Sequence, residues 1–442
     1  MERDFAADFS RRRLPLAGRP PEGGNDAFVT AGLVSPTPYN QNTIDFSLNK
    51  GALPNIQVTL PGGLDYATGL KSGQLNDQSY WSTHYVGLNG FSVRDTVNGG
   101  RVDGSYKSEW GPLARIDFGV SYTGRRKRRT DVSNDFSNGS NQYGSLYNTV
   151  AGQPGPITFA TLGGGILSTF NFPNYLQGAG GSFPHTAVLL NVPALLNGLR
   201  KLDGTPNYDK GGVYDFNLTL PRFNAVNSYD VNERTWTAYV EARLSGSRWS
   251  GNIGVRGVWT NTRASTAVDN ILSVTVANTS NPTNSATVIS SDPTSLVKNG
   301  NYFLPLPSAN LNFTIIKNLQ LRVAGARVLA RPDLNQLAPT QTNNAINQQY
   351  VVTFNGNANL KPITAWQVDT SLEWYYRPKS LISAAFFSKW LKDDITTLQV
   401  NNVDIGAVGC FNGQPCAPLP FNVVQPVNGN QATLYGVELG LQ

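Results

Sequence analysis

Residues 233–244 read ERTWTAYVEARL, and residues 249–260 read WSGNIGVRGVWT. In the first stretch every second residue from Trp236 to Leu244 is apolar, and polar or amphipathic residues occupy the positions between them. This period of two predicts a β-strand with one apolar face, and the second stretch repeats the pattern. Only residues 245–248 separate the two stretches, so together they predict a β-hairpin.

The hairpin pattern recurs along the chain. Three further pairs of alternating segments are joined by short turns, and a ninth segment begins near residue 433. The predicted strands are 101–110, 114–124, 233–244, 249–260, 303–316, 319–330, 364–376, 381–392 and 433–442. Segment 381–392 is apolar on both faces, so its pattern does not indicate which face is buried.

The connections between these strands alternate in length. They are short within hairpins and long between hairpins, and the long ones are 125–231, 261–302, 331–363 and 393–432. Loops longer than about 12–15 residues are uncommon in compact soluble domains. Short turns alternating with long loops are typical of outer-membrane β-barrels, in which the turns are periplasmic and the loops extracellular.

Two pairs of aromatic residues fit the apolar band of such a barrel. Trp249 and Trp259 share one strand face ten residues apart, and so do Trp366 and Tyr376. At ~3.3 Å per residue each pair is separated by about 33 Å along the strand, which a tilt of roughly 40° reduces to about 25 Å across the membrane. We interpret these four residues as membrane girdles, although aromatic residues favour strands in general.

The composition excludes several classes of protein. Charged residues are only 14% of the chain, while Gly (44) and Pro (27) are numerous, which argues against a helical bundle. No apolar run approaches the ~18–20 residues of a membrane-spanning helix, and we expect no export signal in residues 1–30. The net charge of +6 comes from 35 basic and 29 acidic residues without a concentrated basic face, so we expect no nucleic-acid partner.

Reactive and metal-binding residues are scarce. Cys410 and Cys416 lie close together without a CxxC spacing or a nearby His, which predicts a local disulfide and an oxidising compartment, with two unreactive thiols as the alternative. The chain has only His84 and His185. We therefore expect no metal site, no cofactor, no catalytic residues and no enzyme activity.

Five segments, in their order along the chain, resemble the β-barrel of TonB-dependent outer-membrane receptors. They are LARIDFGVSYTGRRK (113–127), AGARVLARPDLNQLAPT (324–340), NGNANLKPITAWQVDTSLEWYY (355–376), LISAAFFSKWLKDDI (381–395) and LYGVELGLQ (434–442). Ala358 and Ile363 stand where the family usually has Pro and Glu. We expect both positions in a loop, so these departures cast little doubt on the fold.

The resemblance implies an antiparallel transmembrane β-barrel of about 22 strands, of which residues 1–442, most clearly 100–442, form a part. It also implies that the family's N-terminal plug domain and closing C-terminal strands are absent from this chain. The implied function is that of a receptor in the outer membrane of a Gram-negative bacterium, which takes up a scarce solute such as a ferric siderophore or an oligosaccharide. The TonB complex would act through the missing N-terminal region, and outer-membrane lipid and lipopolysaccharide would surround the barrel.

Candidate ligand contacts follow from this interpretation. A basic run consists of Arg125, Arg126, Lys127, Arg128 and Arg129. It would capture an anionic ligand, pair with lipopolysaccharide phosphates or form the solvated base of a loop. Polar residues on the strands would face the lumen, where they contact water or the plug and are weak candidates for ligand contacts: Glu233, Tyr239, Glu241, Arg243, Arg256, Asp369 and Glu373.

Two other functions also fit the sequence. A passive porin-like barrel would share the strands but would lack coupling to TonB, and a plug domain encoded upstream would decide between the two. A soluble secreted β-rich adhesin or sugar-binding module would lack a lipid-facing girdle and would be extracted without detergent.

Overall fold

The computed structural model describes residues 29–33, 43–47, 55–60, 64–65, 78, 81–108, 110–134, 142–143, 146, 157–172, 186–208, 211–276, 286–345 and 349–442. The chain forms two compact units. The first unit comprises Met1–Phe91 and Asp131–Asn224, and the second comprises Ser92–Thr130 and Ala225–Gln442. In the described ranges, no helix is both long and apolar enough to span a membrane.

Strands dominate both units. In chain order they are β1 (Val29–Leu33), β2 (Thr43–Ser47), β3 (Asn55–Leu60), β4 (Leu64–Asp65), β5 (Trp81–Val86), β6 (Asn89–Lys107), β7 (Leu113–Ser133), β8 (Leu167–Asn171), β9 (Thr186–Leu190), β10 (Arg222–Ser245), β11 (Trp249–Val268), β12 (Ile271–Val276), β13 (Ala286–Ser290), β14 (Thr294–Ile316), β15 (Leu319–Ala330), β16 (Gln341–Asn344), β17 (Val351–Phe354), β18 (Ile363–Arg377), β19 (Ser380–Lys392), β20 (Ile395–Val403), β21 (Val408–Phe411), β22 (Ala417–Pro418), β23 (Phe421–Asn428) and β24 (Ala432–Leu441). The helices are α1 (Phe159–Leu162), α2 (Val192–Arg200) and α3 (Phe216–Thr219).

Nine of these strands form one open sheet in the order β6-β7-β10-β11-β14-β15-β18-β19-β24. Each of the nine lies beside the next one along the chain, which is the arrangement of an up-and-down barrel wall. These are the nine strands predicted from the sequence, so the all-β, antiparallel fold is confirmed. The short turns all lie at one end of the strands, which we call the turn end of the sheet. The long connections lie at the opposite end of the strands, which we call the loop end.

The strands extend farther at the loop end than their sequence pattern predicts. The predicted connection 125–231 is too long, because β7 continues to Ser133 and β10 begins at Arg222. Polar residues occupy both faces of the β7 extension, 125–133, so no period of two marks it. Ile363, expected in a loop, is the first residue of β18 and pairs with Ala330.

The two faces of the nine-stranded sheet differ in chemistry. On the aromatic face, Trp236 lies opposite Trp259, and Trp259 lies opposite Phe303. All three side chains are exposed in the structure, by 45–56%. The polar face carries the alternate residues of the same strands, such as Glu241 and Arg256. One sheet therefore presents an apolar surface on one side and an ionisable surface on the other.

The long connections of the second unit build a compact assembly of their own. Two four-stranded sheets, β13-β12-β21-β22 and β16-β17-β23-β20, combine strands from three different connections. Parallel pairs, β12 with β21 and β17 with β23, join one connection to another. Their shared core consists of Ile271, Val274, Val276, Ala345, Val352, Ala407, Leu419 and Phe421. We call these two sheets the loop assembly.

The first unit has a separate apolar core around α2. The side chain of Asn191 caps this helix by accepting a hydrogen bond from the Ala194 N–H (3.2 Å), and Leu195 and Leu199 on one helix face are fully buried. The fully buried Asn134 donates to the carbonyl oxygens of Val86 (2.9 Å) and Thr219 (3.0 Å). Asn134 thus holds two distant parts of the unit together.

Candidate functional site

All seven residues predicted to face a lumen lie on the polar face of the sheet, and most of them are already paired. Arg243 Nε lies 2.8 Å from Asp117 Oδ2, and Arg115 Nε lies 2.7 Å from Asp117 Oδ1. Asp117 is 8% exposed, and Arg243 also lies 3.4 Å from Glu241. Because two cations share one buried carboxylate, this cluster ties the two strands β7 and β10 together and leaves little charge for a ligand.

Tyr239 is the centre of a second cluster on the polar face. Its hydroxyl donates to Asp103 Oδ1 (2.8 Å), and the guanidinium carbons of Arg256 and Arg101 lie 5.1 and 5.8 Å from its ring centroid. Both distances allow cation–π attraction. The sequence did not single out Arg101, Asp103 or Asp117, because each is brought into place by pairing between strands.

A groove on the polar face, between β14 and β24, is lined by charged side chains that are not in ion pairs. Arg322 lines this groove but is paired with Glu373 (3.1 Å), which also accepts from the Tyr375 hydroxyl (2.7 Å). Within the described residues, Asp369, Lys389 and Glu438 line the groove without an ion pair. Both signs of charge, with nearby amides and hydroxyls, can bind a polar ligand or another protein segment.

Glu233 lies on the polar face at the loop end and is covered rather than open. Residues 331–340 and 355–362, which we call the covering loops, pack Leu337 and Leu360 against Val231 and Ala264 of the sheet. Glu233 is 2% exposed, and Arg331 Nη1 lies 3.7 Å from its Oε1. Burial raises the pKa of the Glu233 carboxyl above its ordinary value of 4.5, and the charges of Arg331 and Arg125 oppose that shift.

The predicted basic run is divided between the two faces. Arg126 and Arg128 are exposed on the aromatic face, and Arg126 Nε donates to Asp230 Oδ1 (2.9 Å). Arg125, Lys127 and Arg129 alternate onto the polar face, where Arg125 acts on Glu233. The five cations therefore do not form one basic rim.

The predicted girdle residues lie on the aromatic face. Trp249 and Trp259 share that face of β11, and Trp366 and Tyr376 share it on β18. At the loop end an aromatic row crosses four strands: the rings of Tyr122 and Trp236 lie 4.7 Å apart, as do those of Trp259 and Phe303. Tyr122, Trp236 and Phe303 extend the pattern seen in the sequence, because register alone aligns them with Trp259.

The two cysteines meet in the loop assembly. Cys410 and Cys416 form a disulfide across the turn between β21 and β22, and Cys410 lies beside Thr275 of β12. The part of the chain that the structure describes contains no group of three or more His, Cys, Asp or Glu side chains suited to a metal ion.

Comparison with known proteins places this geometry in context. Residues 31–442 match the model of a family described as TonB dependent receptor-like, beta-barrel. No curated protein matches the chain significantly. Among solved structures, the copper transporter OprC is 11% identical over 80% of this chain and 36% of its own, with a TM-score of 0.37.

Two further solved structures show a similar degree of likeness. The ferric-catecholate import receptor Fiu from K12 E. coli is 11% identical over 88% of this chain and 40% of its own, with a TM-score of 0.34. The siderophore receptor PiuA from Acinetobacter baumannii is 12% identical over 88% of this chain and 40% of its own, with a TM-score of 0.35. The chain thus spans 36–40% of the length of these three proteins.

Proposed function

The chain belongs to the TonB-dependent receptor family, whose barrel model matches residues 31–442, and on that premise we propose that it forms barrel wall of an outer-membrane receptor. The receptor takes up a scarce small-molecule solute, such as a ferric siderophore or an oligosaccharide, with energy relayed by TonB. Members of this family are outer-membrane transporters of Gram-negative bacteria, and we assign the chain to that membrane.

The observation that supports this proposal is the contrast between the two faces of one sheet. The aromatic face carries Trp236, Trp259 and Phe303 in the open, which would be unfavourable in water but suits lipid. The polar face carries ion pairs such as Arg243 with Asp117, which suit a water-filled or plugged lumen. A wall that separates lipid from a polar lumen needs both surfaces on the same strands.

Solute contacts are proposed at two places on the polar face. Arg125, Lys127 and Arg129 lie at the loop end, where a solute would arrive from outside the cell. The groove with Asp369, Lys389 and Glu438 lies deeper along the wall, where it would contact the plug or the passing solute. The loop end is therefore the proposed site of capture, and the groove the proposed path.

A deletion of the gene in the source bacterium tests the proposal. Outer membranes would be blotted with an antibody against residues 261–302, with and without boiling. Uptake of an iron-55 ferric catecholate and of a carbon-14 maltodextrin would then be measured with TonB present and depleted.

We expect a heat-modifiable band in the outer membrane and loss of uptake of one probe on deletion and on TonB depletion. Uptake that survives TonB depletion would indicate a passive porin. A band in the soluble or secreted fraction would instead indicate an adhesin or sugar-binding module.

A further inference from the structure

Strand pairing in the wall stops early on one side of β14. β14 is paired with β11 along almost its whole length. Its pairing with β15 begins at the turn end and stops at Ser308, which lies opposite Ala326. β15 itself continues to Ala330 and remains paired with β18 to that point. We call the unpaired stretch between residues 304–307 of β14 and residues 327–330 of β15 the seam.

Two prolines, Pro305 and Pro307, explain where the pairing stops. The carbonyl oxygen of Pro305 accepts a hydrogen bond from Arg327 Nη1 (3.4 Å), so it points toward β15. In an antiparallel sheet the N–H and C=O groups of one residue point to the same neighbouring strand. The next bonds of the ladder would therefore use the N–H groups of Pro307 and Pro305, which proline lacks. Because these residues have no donor to leave unpaired, such an edge costs less in lipid than an ordinary strand edge.

Arg327 makes the hydrogen bond that the structure shows across the seam. Its Nε is buried and has no hydrogen-bond partner among the described residues. A buried donor without a partner is unfavourable, and here one side-chain bond stands in place of a ladder of backbone bonds. The seam is therefore the part of the β14–β15 contact that separates most easily.

Apolar side chains line both sides of the seam. On the aromatic face, Phe303 of β14 is 51% exposed, and Trp366, which lies opposite Arg327, is 49% exposed. Alternation along the strands places Leu304, Leu306 and Val328 on the polar face. An apolar path thus leads from one face of the wall to the other where the wall is unpaired.

Leu304 and Leu306 depart from the pattern of the polar face. Farther toward the turn end, the same face of β14 carries Asn310 and Asn312. The apolar core beneath the covering loops does not account for the two leucines, because neither belongs to that core as the structure describes it. Their apolar character therefore coincides with the seam.

The seam lies at the depth of the outer acyl chains. At ~3.3 Å per residue and a tilt of roughly 40°, Pro307 lies about 10 Å below the level of Phe303. Phe303 belongs to the aromatic row. When that row marks the edge of the hydrocarbon, the seam opens into the outer leaflet.

We propose that the seam admits the acyl chain of an amphiphilic solute whose polar head binds in the lumen. The chain enters between β14 and β15 from the outer leaflet and lies against Leu304, Leu306 and Val328. Arg327 releases the Pro305 carbonyl as the chain enters. The occupant is an acylated chelate or sugar rather than a fully polar solute, because the path through the wall is apolar. This inference rests on the proposed function and narrows its class of solute.

Hydrogen exchange tests the seam itself, on the full receptor purified from outer membranes of its source bacterium and placed in lipid vesicles. The N–H groups of Val323 and Leu329 both point toward β14, but Val323 lies in the paired part and Leu329 in the seam. We expect the Leu329 amide to exchange about tenfold faster than the Val323 amide. Equal protection of the two amides would show that β14 and β15 are paired throughout, and the proposal would fail.

A variant that closes the seam extends this test. Pro305→Val with Pro307→Val supplies both missing N–H groups and should slow exchange at Leu329. Pro293→Val with Pro418→Val replaces two exposed prolines outside the nine-stranded sheet and should leave that exchange unchanged. Heat modifiability reports folding of each variant.

Photo-cross-linking in the same vesicles tests entry of an acyl chain. Val328→p-benzoyl-phenylalanine places a photoreactive group at the seam. Ala324→p-benzoyl-phenylalanine places it on the same face of β15, in the paired part. The probe is tritium-labelled dodecyl maltoside, and tritium-labelled maltose is the matched probe without a chain.

We expect about tenfold more cross-linking of dodecyl maltoside at Val328 than at Ala324, and little cross-linking of maltose at either position. Pro305→Val with Pro307→Val should reduce the signal at Val328 about tenfold. Leu304→Asn with Leu306→Asn makes the path polar and should do the same, which keeps the test decisive if the valine variant folds poorly.

Equal cross-linking at Val328 and Ala324, or undiminished cross-linking in the closed and polar variants, would overturn the proposal. Uptake that survives TonB depletion would count against the proposed function instead, because the measurements on purified receptor report on the seam alone.

Discussion

Arg331 Nη1 lies 3.7 Å from Glu233 Oε1, so the ion pair joins a covering loop to the wall of the sheet. Glu233 is almost fully buried, whereas the Arg331 side chain is about one-quarter exposed, at 24%. Burial makes the charged form of the Glu233 carboxyl costly, and the charge of Arg331 offsets only part of that cost, because the pKa of Glu233 stays raised. The position of the covering loops therefore depends on the state of one carboxylate.

The covering loops should open as pH rises, because of Glu233. Its pKa is raised above 4.5, so the closed state holds the proton more tightly than the open state. The stability of closure is therefore full below pH 4.5 and falls as pH rises through the raised pKa. Hydrogen exchange at the Leu337 and Ala338 amides, corrected for intrinsic rates, measures this opening. Glu233→Gln should abolish the pH dependence, whereas Glu438→Gln should leave it unchanged.

Gly300 allows the covering loops to approach the sheet. A Cβ atom at Gly300 would collide with the carbonyl oxygen of Ala358, which is a backbone atom and cannot turn aside. Gly300→Ala should weaken the docking of residues 355–362 by about 1–3 kcal/mol. Hydrogen exchange in that segment should rise, while Gly100→Ala, which meets nothing within 4 Å, should behave as the wild type. Unchanged exchange in Gly300→Ala would show that the loop does not pack there.

The disulfide should stabilise the loop assembly but not the nine-stranded sheet. Cys410 and Cys416 are six positions apart, and closing so short a loop stabilises by about 2 kcal/mol in the chain-entropy model. Replacing both cysteines by serine should raise hydrogen exchange about 30-fold in residues 408–418. The shift in electrophoretic mobility between unboiled and boiled protein should stay the same, because the nine-stranded sheet contains neither cysteine. A loss of that shift would contradict the independence of the two parts.

The nine wall strands could be predicted because one face meets a uniform environment. Wherever one side is apolar, the period of two is visible, as it is from Trp236 to Leu244. In β19 no period of two is visible, because Phe386 and Phe387 make both of its faces apolar. The neighbouring strand resolves it: Phe386 lies opposite Val437 on the aromatic face and is 46% exposed, while Phe387 packs near Gly436.

The loop assembly and the proximity of Arg234 to Arg263 could not be predicted from local pattern. β12 and β21 are paired although they come from different connections, and such pairing depends on tertiary contacts rather than propensity. Arg234 and Arg263 lie near each other only because β10 and β11 are in register. The sequence instead drew attention to neighbours in the chain such as Arg125 and Arg126, which the strand places on opposite faces.

Neighbouring residues of the basic run should differ in their effect on solute uptake. Lys127 lies on the polar face, and Arg128 lies on the aromatic face. If an anionic ferric catecholate is the solute, Lys127→Gln should raise the half-saturating concentration for its uptake severalfold at low salt, and less at high salt. Arg128→Gln removes the same charge one residue away and should leave uptake unchanged. Equal effects of the two variants would show that the run acts through its total charge.

Charge added to the aromatic face should distinguish a membrane wall from a soluble sheet. Val255 lies between the girdle residues Trp249 and Trp259 and is 43% exposed. In a bilayer, Val255→Arg should cost about 2–4 kcal/mol of unfolding free energy, since the charge enters hydrocarbon, whereas Asn261→Arg, beyond the aromatic row, should cost about 0–1 kcal/mol. Guanidinium unfolding in lipid vesicles measures both.

The sign of the Val255→Arg effect on stability distinguishes lipid from water around the aromatic face. On a soluble sheet an exposed valine contacts water, so arginine at that position would be neutral or would improve solubility. Only lipid makes the exposed position more sensitive than Asn261, which is two residues beyond the aromatic row on the same strand. If Val255→Arg leaves the unfolding free energy unchanged, the aromatic face does not contact lipid. That result would indicate instead that the aromatic face binds another protein.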